Sequence, residues 1–269
     1  KVNRIIGTPY TTLRRGDVID ITRPPGTPPP RPRPRNTAPP VPRVVHEDAD
    51  LLVVDKPAGT GLDEVLAALG GAQGKPVLRV EAQASGLAVL ARHPAALRAA
   101  TEAFAAGRLT LTWVALVEGK VARATQAIEK ALGPDRERPG FVRPYAAGHK
   151  RARAARTELE VVETFARHTL VHAVPRTDRG HQLRAHLAAL HHPLVGDPDY
   201  GGAAALFVSE LKRHYKPRVG VQERPLLQRL FLHASRLVLQ RDDGALAVEA
   251  PLPAELAAAL ARVRRFSAR

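Results

Sequence analysis

Neither cysteine nor methionine occurs anywhere in the 269 residues. Without cysteine there is no disulfide and no thiolate ligand for a metal, which fits a reducing compartment; the cytoplasm is the expected location. Without methionine, Lys1 is not expected to be the natural start. Long apolar runs are missing as well: nothing approaches the ~20 residues that a spanning helix needs, so a soluble protein without a membrane partner is expected. No amino-terminal secretion pattern is visible. Acidic side chains are few, 26 against 41 lysines and arginines, for a net charge of +15.

That surplus of positive charge is the first feature with functional content. It suits a polyanionic partner, because each phosphate neutralised by a lysine or arginine releases condensed counterions. Charge of this size favours nucleic acid and carries no information about which sequence is bound. The length is enough for one large core, or for a catalytic domain with a small appendage.

The chain divides into three. Residues 1 to 21 read as two short strands around a turn, and Leu13-Arg14-Arg15-Gly16-Asp17-Val18-Ile19-Asp20-Ile21 resembles the tail of an S4-type RNA-binding module. So short a piece builds no core of its own and is expected to dock elsewhere or to be a remnant. Residues 22 to 43 form a linker: ten of them are proline, interleaved with arginine. Proline at this density removes backbone donors and favours an extended polyproline conformation. The main domain is expected from residue 44 to 269.

Within that domain, residues 77 to 92 hold a polar turn, 81 to 86, between two short apolar runs. The run at 87 to 91 is continuous enough for a strand buried on both faces. Turns at the ends of buried strands are held rigidly and often present catalytic groups. Arg79 and Glu81 sit there, two residues apart and on one side if the backbone is extended. Further along, His93-Pro94 opens a helix that Gly107 closes, with Leu97, Thr101, Phe104 and Ala105 at helical spacing. Leu109, Leu111, Trp113, Ala115 and Val117 alternate on one face of a strand. Residues 134 to 156 form a basic loop carrying Arg136, Arg138, Arg143, His149, Lys150, Arg151, Arg153 and Arg156. Such a loop suits contact with a nucleic-acid backbone, through Arg138, Arg143, Lys150, Arg151 and Arg153 above all. A closing helix is expected at 254 to 265, with Leu256, Leu260 and Val263 as its apolar stripe. Four histidines between 181 and 192 raise the question of metal. His186 and His191 are five apart rather than at the i, i+4 spacing of a helical zinc pair, and no metal or other cofactor is expected.

The stretch Leu78-Arg79-Val80-Glu81-Ala82-Gln83-Ala84-Ser85-Gly86-Leu87 resembles the motif His-Arg-Leu-Asp-Arg-x-Thr-Ser-Gly-Leu of RNA pseudouridine synthases of the large-subunit ribosomal A type. The segment 44 to 59, with Lys56-Pro57-Ala58-Gly59, resembles the same family. So does Thr177-Asp178-Arg179-Gly180-His181-Gln182-Leu183-Arg184-Ala185-His186-Leu187, continued by 192 to 202, which is the most specific match; the resemblance runs from 44 to about 265. It implies an α+β fold with a mixed, mostly antiparallel central sheet, flanking helices, and a cleft between the turn at 81 to 86 and the helix at 181 to 192. It also implies a structured, ribosomal RNA partner.

By resemblance the nucleophilic aspartate of the family falls on Glu81, its steering arginine on Arg184, its base-flipping arginine on Arg79, and its active-site tyrosine on Trp113. The chain departs from the pattern at Leu78, Ala82 and Trp113, lengthens the carboxylate arm by one methylene, and shortens the loop at 60 to 77. Indole has no hydroxyl with which to move a proton. These departures weigh toward an RNA-binding protein with lost or weakened catalysis. The alternative is an active uridine isomerase that uses Glu81. An open cleft with Glu81 paired to Arg184 favours chemistry; Trp113 filling that cleft favours binding alone.

Overall fold

The computed structural model describes residues 41–212, 215–216, 223–242 and 244–267. The S4-like piece and all but the last three residues of the linker lie outside the described residues. The domain begins with strand β1, Arg43–Glu47, which starts on the final residue assigned to the linker. Asp48 turns the chain by accepting the amides of Asp50 and Leu51 at 2.9 and 2.7 Å, a local side-chain bond that favours a tight turn over further strand. Strand β2, Leu51–Lys56, follows, then helix α1, Leu62–Ala68, and the two-residue strand β3, Lys75–Pro76. Strand β4, Ser85–Ala91, is buried at every position, as a continuous apolar run predicts.

Helix α2 is Pro94–Ala105, and strand β5 is Leu109–Glu118. Strands β6, Thr125–Glu129, and β7, Ala131–Pro134, lead to β8, Val142–Tyr145, β9, Arg156–Thr164, and β10, His168–Pro175. Helix α3, Gln182–Ala189, a single 3-10 turn at Pro198–Tyr200 and the short helix α4, Val208–Leu211, precede strands β11, Leu232–Arg241, and β12, Gly244–Glu249. Helix α5, Ala254–Ser267, is the last element.

The main sheet runs β1-β2-β4-β11-β5-β10-β9-β6, with β12 on β11 and β3 on β4. Only β11 and β4 pair in parallel; the other described pairings are antiparallel, so the sheet is mixed as expected. The parallel contact explains the motif glycine. Gly86 has φ +102°, and a Cβ there would stand 2.2 Å from the Ala234 carbonyl oxygen. Only glycine lets the two backbones approach so closely.

Helices cover both faces. Leu183 and Leu187 of α3 pack on Ala115, Val117, Val171 and Ala173, while Leu256, Leu260 and Val263 of α5 pack on Val114, Leu116 and Leu170 from behind. The stripe expected for α5 is therefore the one it buries. Helix α2 differs from expectation: it buries Ala96, Ala100 and Ala103, and Thr101 and Ala105 are exposed. Alanines let the helix axis lie close to the sheet, so the larger Leu97 and Phe104 flank the contact. The basic segment is not all loop either, because it contains β8, which pairs with β7 at the segment's start as a separate two-stranded sheet. Arg156 falls on β9, paired with Glu129 and Glu158, and so is not a free cation of that segment.

Candidate active site

Glu81 stands on a turn held from below by a buried lysine. Lys56, at the end of β2, donates through Nζ toward the carbonyls of Ala84 (2.7 Å), Pro57 (2.9 Å), Thr60 (3.0 Å) and Ala82 (3.1 Å). Three protons shared among four acceptors tie the Gly59 loop to the Glu81 turn, and the Gly59 amide adds a bond to the Ala82 carbonyl at 2.8 Å. Burial pushes the Lys56 ammonium down from 10.5 to about 8, against the attraction of Glu81. At the other end of the turn, Ser85 Oγ is bonded to His233 Nδ1 at 3.0 Å and accepts Arg229 Nη2 at 3.1 Å. Residues 77 to 80 form no strand, so Arg79 and Glu81 are displayed from irregular backbone.

The facing wall is α3 with the loop before it. Arg184 Nε and Nη2 clasp the two oxygens of Asp197 at 2.8 and 2.6 Å, Nη2 also reaches Asp199 at 3.0 Å, and Nη1 meets Glu81 Oε1 at 3.4 Å. The Arg184 side chain is 2% exposed, Asp197 0% and Glu81 16%. Burial alone would lower the guanidinium's pKa; hydrogen bonds and charge from Asp197, with help from Glu81 and Asp199, hold it above its ordinary value instead. Asp197 reaches this position because Gly196, at φ +81°, turns tightly: a Cβ there would meet the Arg229 carbonyl oxygen at 2.0 Å.

Between the walls lies an open cleft of about 450 Å³, lined among others by Arg79, Glu81, Trp113, Asp178, His181 and Arg184. Trp113 is half-buried and contributes to the wall without closing the space. Arg79 is 67% exposed and leans on Asp178, Nε to Oδ2 at 3.7 Å, while its backbone amide donates to the same oxygen at 3.2 Å. Burial raises the Asp178 carboxyl above the usual range, and Arg79 opposes that shift. The structure therefore brings Arg79, Glu81, Trp113 and Arg184 to one cleft.

The five basic residues expected to contact nucleic acid lie along the segment that includes β7 and β8, and all are exposed. Arg138 covers the Phe141 ring at 4.0 Å and donates to the Asp199 carbonyl at 2.6 Å. Arg143 lies 5.4 Å from the Tyr145 ring. Lys150, Arg151 and Arg153 follow β8, and Gly140, at the tip of the same segment, touches the cleft. Among the described residues no three His, Asp or Glu side chains converge as a metal site. His186 is bonded to Thr157 and the Lys130 carbonyl, and His192 to the Glu118 carbonyl.

Sequence reasoning passed over Lys56, Asp178 and Tyr200 as site residues, and weighed His181, Asp197 and Asp199 only as metal ligands. All lie inside stretches singled out for other reasons.

An RNA pseudouridylate synthase family model matches residues 45–189, from β1 through α3 and including Arg79, Glu81, Trp113 and Arg184. The chain belongs to that family. It is 30% identical over 233 residues to the uncharacterized RNA pseudouridine synthase YhcT of Bacillus subtilis, covering 79% of this chain and 69% of the relative. It is also 30% identical over 241 residues to the ribosomal large subunit pseudouridine synthase C of Vibrio cholerae, covering 82% and 69%. Among solved structures, human RNA pseudouridylate synthase domain containing 1 superposes with a TM-score of 0.60 at 27% identity, over 79% of this chain and 84% of that one. The α+β architecture implied by the resemblance is thus the family's own.

Proposed function

We propose that this chain isomerises uridine to pseudouridine in structured RNA, with Glu81 as the reacting carboxylate. The observation that carries the reading is the open cleft in which Glu81 faces Arg184 while Trp113 stays in the wall. In this reaction the C1′–N1 bond of uridine breaks, the uracil turns, and C5 takes the place of N1; no cofactor takes part. Glu81 acts at C1′ and Arg184 steers it. Arg79, exposed at the rim, fills the space left by the flipped base, and Trp113 offers an apolar face to the uracil. Arg138, Arg143, Lys150, Arg151 and Arg153 hold the phosphate backbone. The relative from Vibrio cholerae, a ribosomal large subunit synthase, makes ribosomal RNA the first substrate to try. The cytoplasm is the proposed compartment, with residues 1 to 21 as an accessory RNA-binding piece and 22 to 43 as a spacer.

The extra methylene of Glu81 moves its carboxylate by roughly 1.5 Å relative to an aspartate on the same backbone, and misplacement on the order of 1 Å costs ~100-fold in rate. A slow enzyme is therefore expected. Loss of catalysis with RNA binding kept is the second reading. It is favoured by the tighter hold of Arg184 on Asp197 (2.6 and 2.8 Å) than on Glu81 (3.4 Å) and by the hydroxyl missing at Trp113. Pseudouridine mapping decides. RNA from cells lacking the gene should lose a site that wild type restores and that Glu81→Ala and Arg184→Ala do not. RNA binding with no such site would leave the second reading standing.

A further inference from the structure

Two side chains flanking the site have no part in the mechanism above, and their geometry converges on Glu81. His181 is the N-cap of α3 and adopts the left-handed conformation, φ 49° and ψ 26°. Among the described residues it is one of two non-glycine residues at positive φ. Such a conformation is uncommon for a side-chain-bearing residue and persists where the surroundings enforce it. Here it turns the imidazole into the cleft, where Nε2 lies 3.9 Å from Glu81 Oε2. The other ring nitrogen, Nδ1, is 3.0 Å from the Tyr200 hydroxyl oxygen. That oxygen accepts the Val142 amide at 3.2 Å, and the phenol's own proton is available for donation to Nδ1. A neutral imidazole accepting at Nδ1 carries its proton on Nε2, the nitrogen that faces Glu81.

Tyr200 serves the other partner of Glu81 too, because the Arg184 guanidinium lies 4.9 Å from its ring centroid. Phe141 packs edge-on against His181 at 5.5 Å and beside Tyr200 at 5.9 Å, closing the group on the side of the basic segment. Each carboxylate oxygen of Glu81 thus faces its own nitrogen, Arg184 Nη1 at 3.4 Å from Oε1 and His181 Nε2 at 3.9 Å from Oε2, and one tyrosine touches both of those side chains. A glutamate arm has one more rotatable bond than an aspartate and needs more restraint to stay in one place.

We propose that His181 and Tyr200 are positioning residues that hold the Glu81 carboxylate at its reacting geometry, His181 by donating from Nε2 and Tyr200 by orienting both His181 and Arg184. This rests on the reading of Glu81 as the reacting carboxylate. The separation is 3.9 Å in the free protein, and donation from Nε2 requires it to shorten once a substrate fills the cleft, as catalytic contacts commonly do between free and occupied enzymes.

The test has a kinetic arm and a spectroscopic one. With the RNA that wild type modifies, His181→Leu and Tyr200→Phe should each lower kcat about tenfold or more, the loss expected for one charge-assisted hydrogen bond. KM for the RNA should stay within about twofold. His181→Gln, which restores a side-chain N–H, should recover part of the rate; a Gln variant no better than Leu would overturn the proposal, as would a rise in KM with kcat unchanged. Independently of activity, the imidazole ¹⁵N signals of His181 should report an Nε2–H tautomer in wild type and should move in both Glu81→Gln and Tyr200→Phe. Signals identical in all three proteins would overturn the proposal. If those signals move but wild type modifies no RNA, the positioning stands and the catalytic reading falls.

Discussion

Arg79 and Arg184 stand on opposite walls of one cleft, and both sit at positions that the motifs mark. One is 67% exposed and leans on a single carboxylate at 3.7 Å; the other is 2% exposed and gripped by three acidic side chains. The contrast separates two kinds of positive charge. Arg184 is part of the folded framework, so its charge and position are set before any substrate arrives. Arg79 is held by Asp178 among the described residues and is otherwise turned to solvent.

The largest expected effect comes from breaking the fixed member. Arg184→Met strands Asp197 as a buried charge without a partner, which should cost about 3–5 kcal/mol of stability, read by urea or thermal unfolding. Equal stability of the variant and wild type would put the two arginines in one class after all.

Next comes the lysine beneath the turn. Lys56→Met leaves four carbonyls short of their donor and should cost about 1–3 kcal/mol. The pH dependence carries a defined sign. Because burial lowers the Lys56 pKa in the folded state to about 8 from 10.5, the folded state binds its proton more weakly than the unfolded one. Wild type should therefore gain stability as pH rises from 8 to 10.5, by up to about 3 kcal/mol, and Lys56→Met should lack that gain. Parallel pH profiles for the two proteins would remove the case for a buried ammonium.

The basic segment extends the exposed side of the comparison. Replacing Arg138, Arg143, Lys150, Arg151 and Arg153 together by alanine should flatten the dependence of RNA affinity on salt, by about one unit of log–log slope for each phosphate no longer neutralised. An unchanged slope would place the phosphate-binding cations elsewhere on the protein. The smallest effect on stability belongs to Arg79→Ala, within about 0.5 kcal/mol of wild type, although RNA modification should fall.

Much of this frame was legible in the sequence. The run at 87 to 91 read as a strand buried on both faces, and the motif at 177 to 202 brought Arg184 toward Glu81 across 103 residues. What stayed hidden was of three kinds. Lys56 acts on backbone carbonyls, which carry no residue identity, so nothing in the letters marks its partners. Asp197, Asp199 and Tyr200 converge on Arg184 and His181 through a turn at Gly196, and convergence of that sort is three-dimensional. The buried face of α2 is alanine, which periodicity readings weight less than Leu97 or Phe104 although it is alanine that allows close packing.

Strand β11 sits between β4 and β5 in the middle of the sheet, yet it is made 114 residues after β5 ends, from Glu118 to Leu232. At roughly 5–20 residues per second of synthesis, the gap lasts about 6–23 s. For that interval β4 and β5 both present unpaired edges where their central partner belongs, and pairing across such sequence distance is slow to form. The domain closes from its middle, late. A nascent chain of this protein therefore depends on being shielded from its neighbours until β11 arrives, and a truncation that removes β11 leaves two half-sheets with sticky edges rather than a smaller version of the fold.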